Sequence, residues 1–483
     1  MSKSKRITPV QSGPVKPSPF QLGYEKALFI AAWILGLSHI LMATFRYAVK
    51  YTQFRPFEQW LAILLILAAV FYVILTRIRY PKAASRLKHF FLGLKTYEYI
   101  FMAVLFNWFI IVCFVRQQTD HYRYFKIEDW WLLDTAVLAF ILFPIAKYAG
   151  REKILKAINW MLHILVLSYT VFVIWCMWNV FHLNVITLPS GNQVGMTINM
   201  ELMLGYHYNI TGAISFTVFG AACYLAISGK PVFKIIYGIA AAVHLYVAFL
   251  SNSRTVYVAA LFLIVISVFL MVWRALLKEG LGYRLFLSAV AAVVAGVLTW
   301  RLRAASFEWF EAITHFSAAE AASDSVRELT NLSGRENIWK AAVKVMFSSP
   351  LAFFFGVTPV GVTEALQNIG GLHFQAAHAH NEILQVGTGL GVPIMLAYIV
   401  FHVKVLLNGL KMLLNFKADN YLPCMLIVMV TASLFVINLA EAYLVSYFSM
   451  MSCIFFLFAG IITAQAPAGS LLRHFKKEAE EKP

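Results

Sequence analysis

The chain has 483 residues, 60% of them hydrophobic and only 13% charged, with a formal net charge of +17. Its apolar residues run in blocks of about 20, the length a helix needs to cross a bilayer, and one soluble core has no room for so many such blocks. The basic excess sits in the loops beside those blocks and forms no stripe with interleaved aromatics, so it does not argue for nucleic acid as a partner.

Twelve blocks are expected to span, at 27–46, 58–76, 97–115, 130–147, 159–182, 207–228, 232–251, 254–273, 283–300, 382–405, 421–440 and 445–465. The fold class is therefore an all-α polytopic membrane protein of about 12 transmembrane helices, with a large extracytoplasmic loop that itself contains helices. The expected division is a cytoplasmic tail over 1–26, nine helices within 27–300, the loop over 301–379, three helices within 380–465, and a second tail over 466–483. The stretch Met1 to Gln21 is polar, and the first apolar block is long enough to span and stay, so no cleavable signal is expected.

Orientation follows from the basic residues. With both termini inside, Lys and Arg crowd the short inner loops (Arg77, Arg79, Lys82, Arg86, Lys88 and Lys95 in the first of them), whereas the short outer loops hold few (Arg46, Lys50, Arg55, Arg116, Arg123, Lys126 and Arg254). Cys113, Cys176, Cys223, Cys424 and Cys453 all lie in or at the ends of apolar blocks, which speaks against a disulfide framework or a cysteine metal site.

Two outer segments interrupt the blocks. The first, about 183–206, holds Pro189, Gly191, Gly195 and Gly205 without Lys or Arg, and reads as an irregular loop lining a cavity. In the second, Ser333-Gly334-Arg335-Glu336 fits a capping box. The helix it opens carries Trp339, Val343 and Met346 on one face and stops near Ser348-Ser349-Pro350. A turn-rich run, Gly356 to Gly361, then leads towards His373, His378 and His380.

Chemistry is expected where these polar groups meet the membrane. Arg254 opens the eighth block and Arg335 sits in the first turn of the capped helix, so both place a guanidinium beside free amides and the positive end of a helix dipole. A cation is unfavourable there unless an anion joins it, and a planar guanidinium suits phosphate. The plainer reading is that each pairs with lipid phosphate or a carboxylate. His380 precedes a helix that Asn381 can cap. A neutral imidazole there can take a proton from a hydroxyl; alternatively it is a satisfied interfacial histidine.

His373, His378 and His380 also raise a metal site. With only Glu364 and Glu382 nearby as acids, none is expected. Glu441 is a rare carboxylate at membrane depth. It is placed to orient His380 or balance an arginine, or else it is a loop residue in contact with water. His163 and His244, inside blocks, read as packing or hydrogen-bonding residues.

Taken in order, SNSRT (251–255), SGRENIW (333–339), FFGVTPVG (354–361) and HNEILQVGTGLGV (380–392) resemble the bacterial O-antigen ligase and polymerase superfamily, best over about 205–410. The family pattern places a glycine where this chain has Ile394. The resemblance implies a glycosyltransferase of the bacterial inner (cytoplasmic) membrane, with its site facing the periplasm or cell exterior. Its donor would be a glycan on undecaprenyl pyrophosphate and its acceptor a hydroxyl of a glycan or lipid, as in lipopolysaccharide and other cell-envelope polysaccharide, without cofactor or metal.

The resemblance gives His380 as general base and Arg254 and Arg335 as the pyrophosphate grip, with Asn381, His378 and Glu441 in supporting places. Ligase and polymerase share this donor chemistry and stay open as alternatives. A polysaccharide flippase is the competing class, but it should carry charged residues deep along a pathway and clearer paired repeats.

Overall fold

The computed structural model describes residues 19–45, 141–150, 154–189, 191–197, 200–314, 334–359, 361–415, 418–444 and 449–466. The expected spans 58–76 and 97–115, Cys113 and most of both tails lie outside the described residues. In chain order the elements are α1 (Pro19–Phe45), α2 (Ile141–Gly150), α3 (Leu155–Phe181), β1 (Ile186–Thr187), β2 (Gln193–Met196), β3 (Leu202–Leu204), α4 (Tyr208–Ser228), α5 (Pro231–Leu250), α6 (Arg254–Ala275) and α7 (Leu281–Thr314). They continue as α8 (Arg335–Met346), α9 (Pro350–Phe355), α10 (Val362–Asn368), α11 (Glu382–Leu390), α12 (Val392–Leu413), α13 (Tyr421–Asn438) and α14 (Met450–Gln465).

Among the described residues seven helices, α3 to α7, α12 and α13, are long and apolar enough to cross a membrane. Their bounds follow the hydropathy blocks to within a few residues, with the exceptions given below. Helices α4 and α13 form the middle of the bundle, with 78% and 72% of their apolar windows buried, whereas only 17% of the α7 window is. An apolar helix need not hide from lipid, so Val293, Val294, Val297 and Leu298 of α7 face outward without penalty.

Four expectations are corrected. The polar character that begins at Arg301 marks where α7 leaves the apolar layer and not where it ends. At 34 residues the helix is about 51 Å long, beyond the roughly 30 Å of hydrocarbon, and Arg301 to Thr314 contains no glycine or proline to stop it. The 183–206 segment is a three-stranded antiparallel meander, pairing Ile186 with Val194 and Val194 with Leu204. Val194, Leu202 and Leu204 are fully buried on its inner face. The cap of α8 is Gly334 in the left-handed region (φ 76°), one residue after Ser333, which lies outside the described residues; Glu336 instead pairs with Lys340 at 2.7 Å.

The fourth correction positions the site. The block 382–405 is not one span: it breaks at Gly391 (φ 95°) into the short α11 and the long α12, and Pro393 lies in the first turn of α12. Here FFGVTPVG packs backbone to backbone on HNEILQVGTGLGV. Val357 donates to the Thr388 carbonyl at 2.8 Å, and a Cβ on Gly391 would run into the Phe354 carbonyl oxygen. Gly391→Ala therefore meets both a strained φ and a backbone clash. We expect it to destabilise the protein by about 2 kcal/mol or more, read as a lower Tm in detergent; a variant that melts with the wild type would show that the two backbones can part.

Candidate active site

The short helix α11 carries the centre of the site at its N-terminus. Asn381 caps it as the sequence predicts: the side-chain oxygen accepts from the Leu384 amide at 3.1 Å. The same side chain donates from Nδ2 to the Leu439 carbonyl at 2.9 Å. Glu382, buried to 1% exposure, accepts from the Leu444 amide at 3.2 Å. These two bonds fasten the 439–444 loop, which follows α13, to the start of α11. Within that loop the Tyr443 amide donates to Asn438 Oδ1 at 2.8 Å. Glu441 is thereby delivered to His380 from 61 residues away in the chain.

His380 itself occupies the left-handed region (φ 47°), an unfavourable conformation for a residue with a Cβ. Both of its backbone polar groups are held: its amide donates to His378 Nδ1 at 3.1 Å, and its carbonyl accepts from Trp339 Nε1 at 3.1 Å. The imidazole Nδ1 lies 3.2 Å from Glu441 Oε2 and the ring keeps about a quarter of its surface exposed. The phenol of Tyr443 donates to the same carboxylate oxygen at 3.0 Å. Arg335 donates from one guanidinium nitrogen to Glu441 Oε1 at 2.5 Å and from the other to Thr255 Oγ1 at 3.2 Å. Thr255 lies in the first turn of α6 beside Arg254, which is partly buried.

The electrostatics follow from this enclosure. Burial alone would raise the Glu441 carboxyl, but the hydrogen bond with His380 and the charges of Arg335 and the histidines outweigh it, so the group stays ionised below its ordinary range. For His378, burial pushes the imidazole down to about 3, with His380, Arg335 and His207 adding to the effect and Glu441 opposing it. It is neutral at physiological pH and free to accept the His380 amide. Both groups are less protonated folded than unfolded, so acid removes stability, first below the ordinary histidine value and then through the carboxylate range.

The structure therefore brings together His380, His378, Glu441, Asn381 and Arg335, and sets Arg254 next to the threonine that Arg335 touches. His373 is exposed and is not part of the group. Metal-ligating atoms of His378, His380 and Glu441 fall within 4.8 Å of one another, so Glu441 and not His373 completes the one such set among the described residues. An ion there would sit beside the Arg335 guanidinium and compete with it for Glu441. The donor set fits a metal poorly.

Sequence reasoning missed Tyr443, Trp339, Thr255 and Glu382. Trp339 and Thr255 stand inside motifs already singled out, and an acidic residue next to His380-Asn381 was a usable signal for Glu382.

A sequence model of the family described as O-antigen ligase matches residues 239–399. The chain carries an O-antigen ligase family domain. That similarity covers a third of a chain with seven helices long and apolar enough to cross a membrane among its described residues, and it takes in Arg254, Arg335, His378, His380 and Asn381. Glu441 and Tyr443 fall beyond the matched O-antigen ligase segment and join it only through the fold. No curated protein matches the chain.

Proposed function

We propose that this protein is a glycosyltransferase of the bacterial cytoplasmic membrane. It moves a glycan from undecaprenyl pyrophosphate to an acceptor hydroxyl at the extracytoplasmic face, as an O-antigen ligase does. The observation that carries the reading is the His380–Glu441–Arg335 array. An ionised carboxylate accepts from Nδ1–H of a neutral imidazole, and that tautomer leaves Nε2 unprotonated to act as the base.

The acceptor hydroxyl loses its proton to His380 as its oxygen bonds to the anomeric carbon. The bond from that carbon to the diphosphate oxygen breaks, and the pair of electrons leaves on undecaprenyl diphosphate. Arg254 and Arg335 hold that leaving charge. Departure of the diphosphate lets His380 return its proton to the phosphate or to water.

The basic residues that flank the inner loops support a site on the opposite face. No metal is needed in this scheme, since guanidinium groups stabilise the leaving diphosphate. Turnover is accordingly expected to persist after dialysis against a chelator, measured as donor consumed; loss that a divalent ion restores would overturn this part of the reading.

The experiment that tests the whole uses purified protein in liposomes with glycan-loaded undecaprenyl diphosphate and candidate acceptors. Release of undecaprenyl diphosphate with glycan on the acceptor supports a transferase. A single transfer then marks a ligase, and a ladder of lengthened lipid-linked glycans marks the polymerase alternative. Donor left intact while crossing between leaflets would sink the reading in favour of a flippase.

A further inference from the structure

Besides Arg335, a second guanidinium meets the chain at the N-terminus of α6. Arg303, on α7, donates to Asn252 Oδ1 at 2.9 Å, and its charge lies 5.1 Å from the Tyr257 ring and 5.5 Å from that of Phe307. Among the described residues no carboxylate pairs with it. The segment Ser251–Thr255 thus has Arg303 on Asn252 and Arg335 on Thr255, with Arg254 between those two positions in the sequence, at a helix end whose dipole is already positive. Glu441 answers Arg335; nothing in the described structure answers Arg303.

A separate observation points the same way. Ser253 and Tyr257, 3% and 4% exposed, flank this turn, and their hydroxyls have no hydrogen-bond partner. Ser253 is the N-cap residue of α6, yet its side chain makes no cap bond. Buried hydroxyls without partners are costly, and a cation without an anion more so. One ligand that accepts several hydrogen bonds and carries negative charge would satisfy all of them.

We propose that Arg303 is a binding residue for a phosphate group at the membrane interface, and that with the Ser253 and Tyr257 hydroxyls it takes the diphosphate of the lipid-linked donor. This rests on the transferase reading above. It assigns the donor diphosphate three guanidinium groups around one helix turn instead of two, so that His380 and Glu441 are left to the acceptor side.

The test compares wild type, Arg303→Met and Arg303→Lys in nanodiscs. Two quantities are read: the donor KM and kcat, and direct binding of undecaprenyl diphosphate. Loss of a charge-assisted, desolvated contact predicts a donor KM and a Kd for undecaprenyl diphosphate raised about tenfold to a hundredfold in Arg303→Met, with kcat changed much less. Lysine should recover little, although its ammonium can still reach Asn252, because one point charge does not replace the fork.

Unchanged KM and Kd in Arg303→Met would overturn the proposal, as would full rescue by lysine, which would mean that Arg303 only braces the turn. A Kd that follows the phosphatidylglycerol content of the disc and not the diphosphate would assign the site to a phospholipid head group and overturn it too. The binding arm stands apart from turnover. Wild type that binds undecaprenyl diphosphate through Arg303 yet transfers nothing would refute the transferase and leave this site intact.

Discussion

His380→Ala is expected to lower glycan transfer by about 10²–10⁴-fold, the range a positioned general base supplies, while the protein still folds and still binds undecaprenyl diphosphate. Folding should survive because the imidazole makes one side-chain bond, to Glu441. The bonds that shape the local backbone run through the His380 amide and carbonyl, to His378 and Trp339. Alanine keeps both. The left-handed φ is already tolerated by a residue with a Cβ, so the substitution adds no new strain. Single-turnover release of the diphosphate in liposomes, with donor binding measured on the same preparation, separates chemistry from binding. Wild-type turnover would remove His380 from the base role. Lost binding with intact folding would move it to the donor side.

Much of this was legible along the chain, and the limits have physical causes. Blocks such as 207–228 and 421–440 announce themselves because lipid demands about 20 apolar residues whatever the partners are. The break at Gly391 is hidden inside such a block: hydropathy averages over Gly391-Val392-Pro393, and the close approach of Phe354 that requires the glycine is a tertiary fact. The meander at 186–204 is missed because its strands are two to four residues long, below any periodicity.

In the site, the local parts were readable: Asn381 as a cap, and His380 and Arg335 as groups out of place for a membrane loop. Glu441 was readable as an anomaly with two alternative roles. The fold gives it both at once, with His380 on one carboxylate oxygen and Arg335 on the other. No local pattern brings together residues separated by 61 and 106 positions.

That double pairing makes Arg335 the position where substitution should hurt most broadly. Its two nitrogens bridge Glu441 on the 439–444 loop and Thr255 on α6, so the fork ties together elements that carry opposite sides of the proposed chemistry. A lysine ammonium is a single point and cannot span both partners in the same geometry. Arg335→Lys is therefore expected to cut kcat/KM by about tenfold to a hundredfold, with Glu441 still partly neutralised and Tm close to wild type.

Arg335→Ala should behave differently. Glu441 at 1% exposure would keep only His380 and the Tyr443 hydroxyl, and removing one partner of a buried pair is destabilising by about 3–5 kcal/mol. Adding Glu441→Gln to Arg335→Ala removes the stranded charge, so the double variant should regain stability without regaining activity. Its imidazole has lost the carboxylate that fixes which nitrogen carries the proton. Melting and turnover measured across the four proteins of this cycle decide the matter. If Arg335→Lys turns over normally and Arg335→Ala melts with the wild type, the guanidinium neither bridges the two elements nor neutralises Glu441, and its place in the mechanism falls with it.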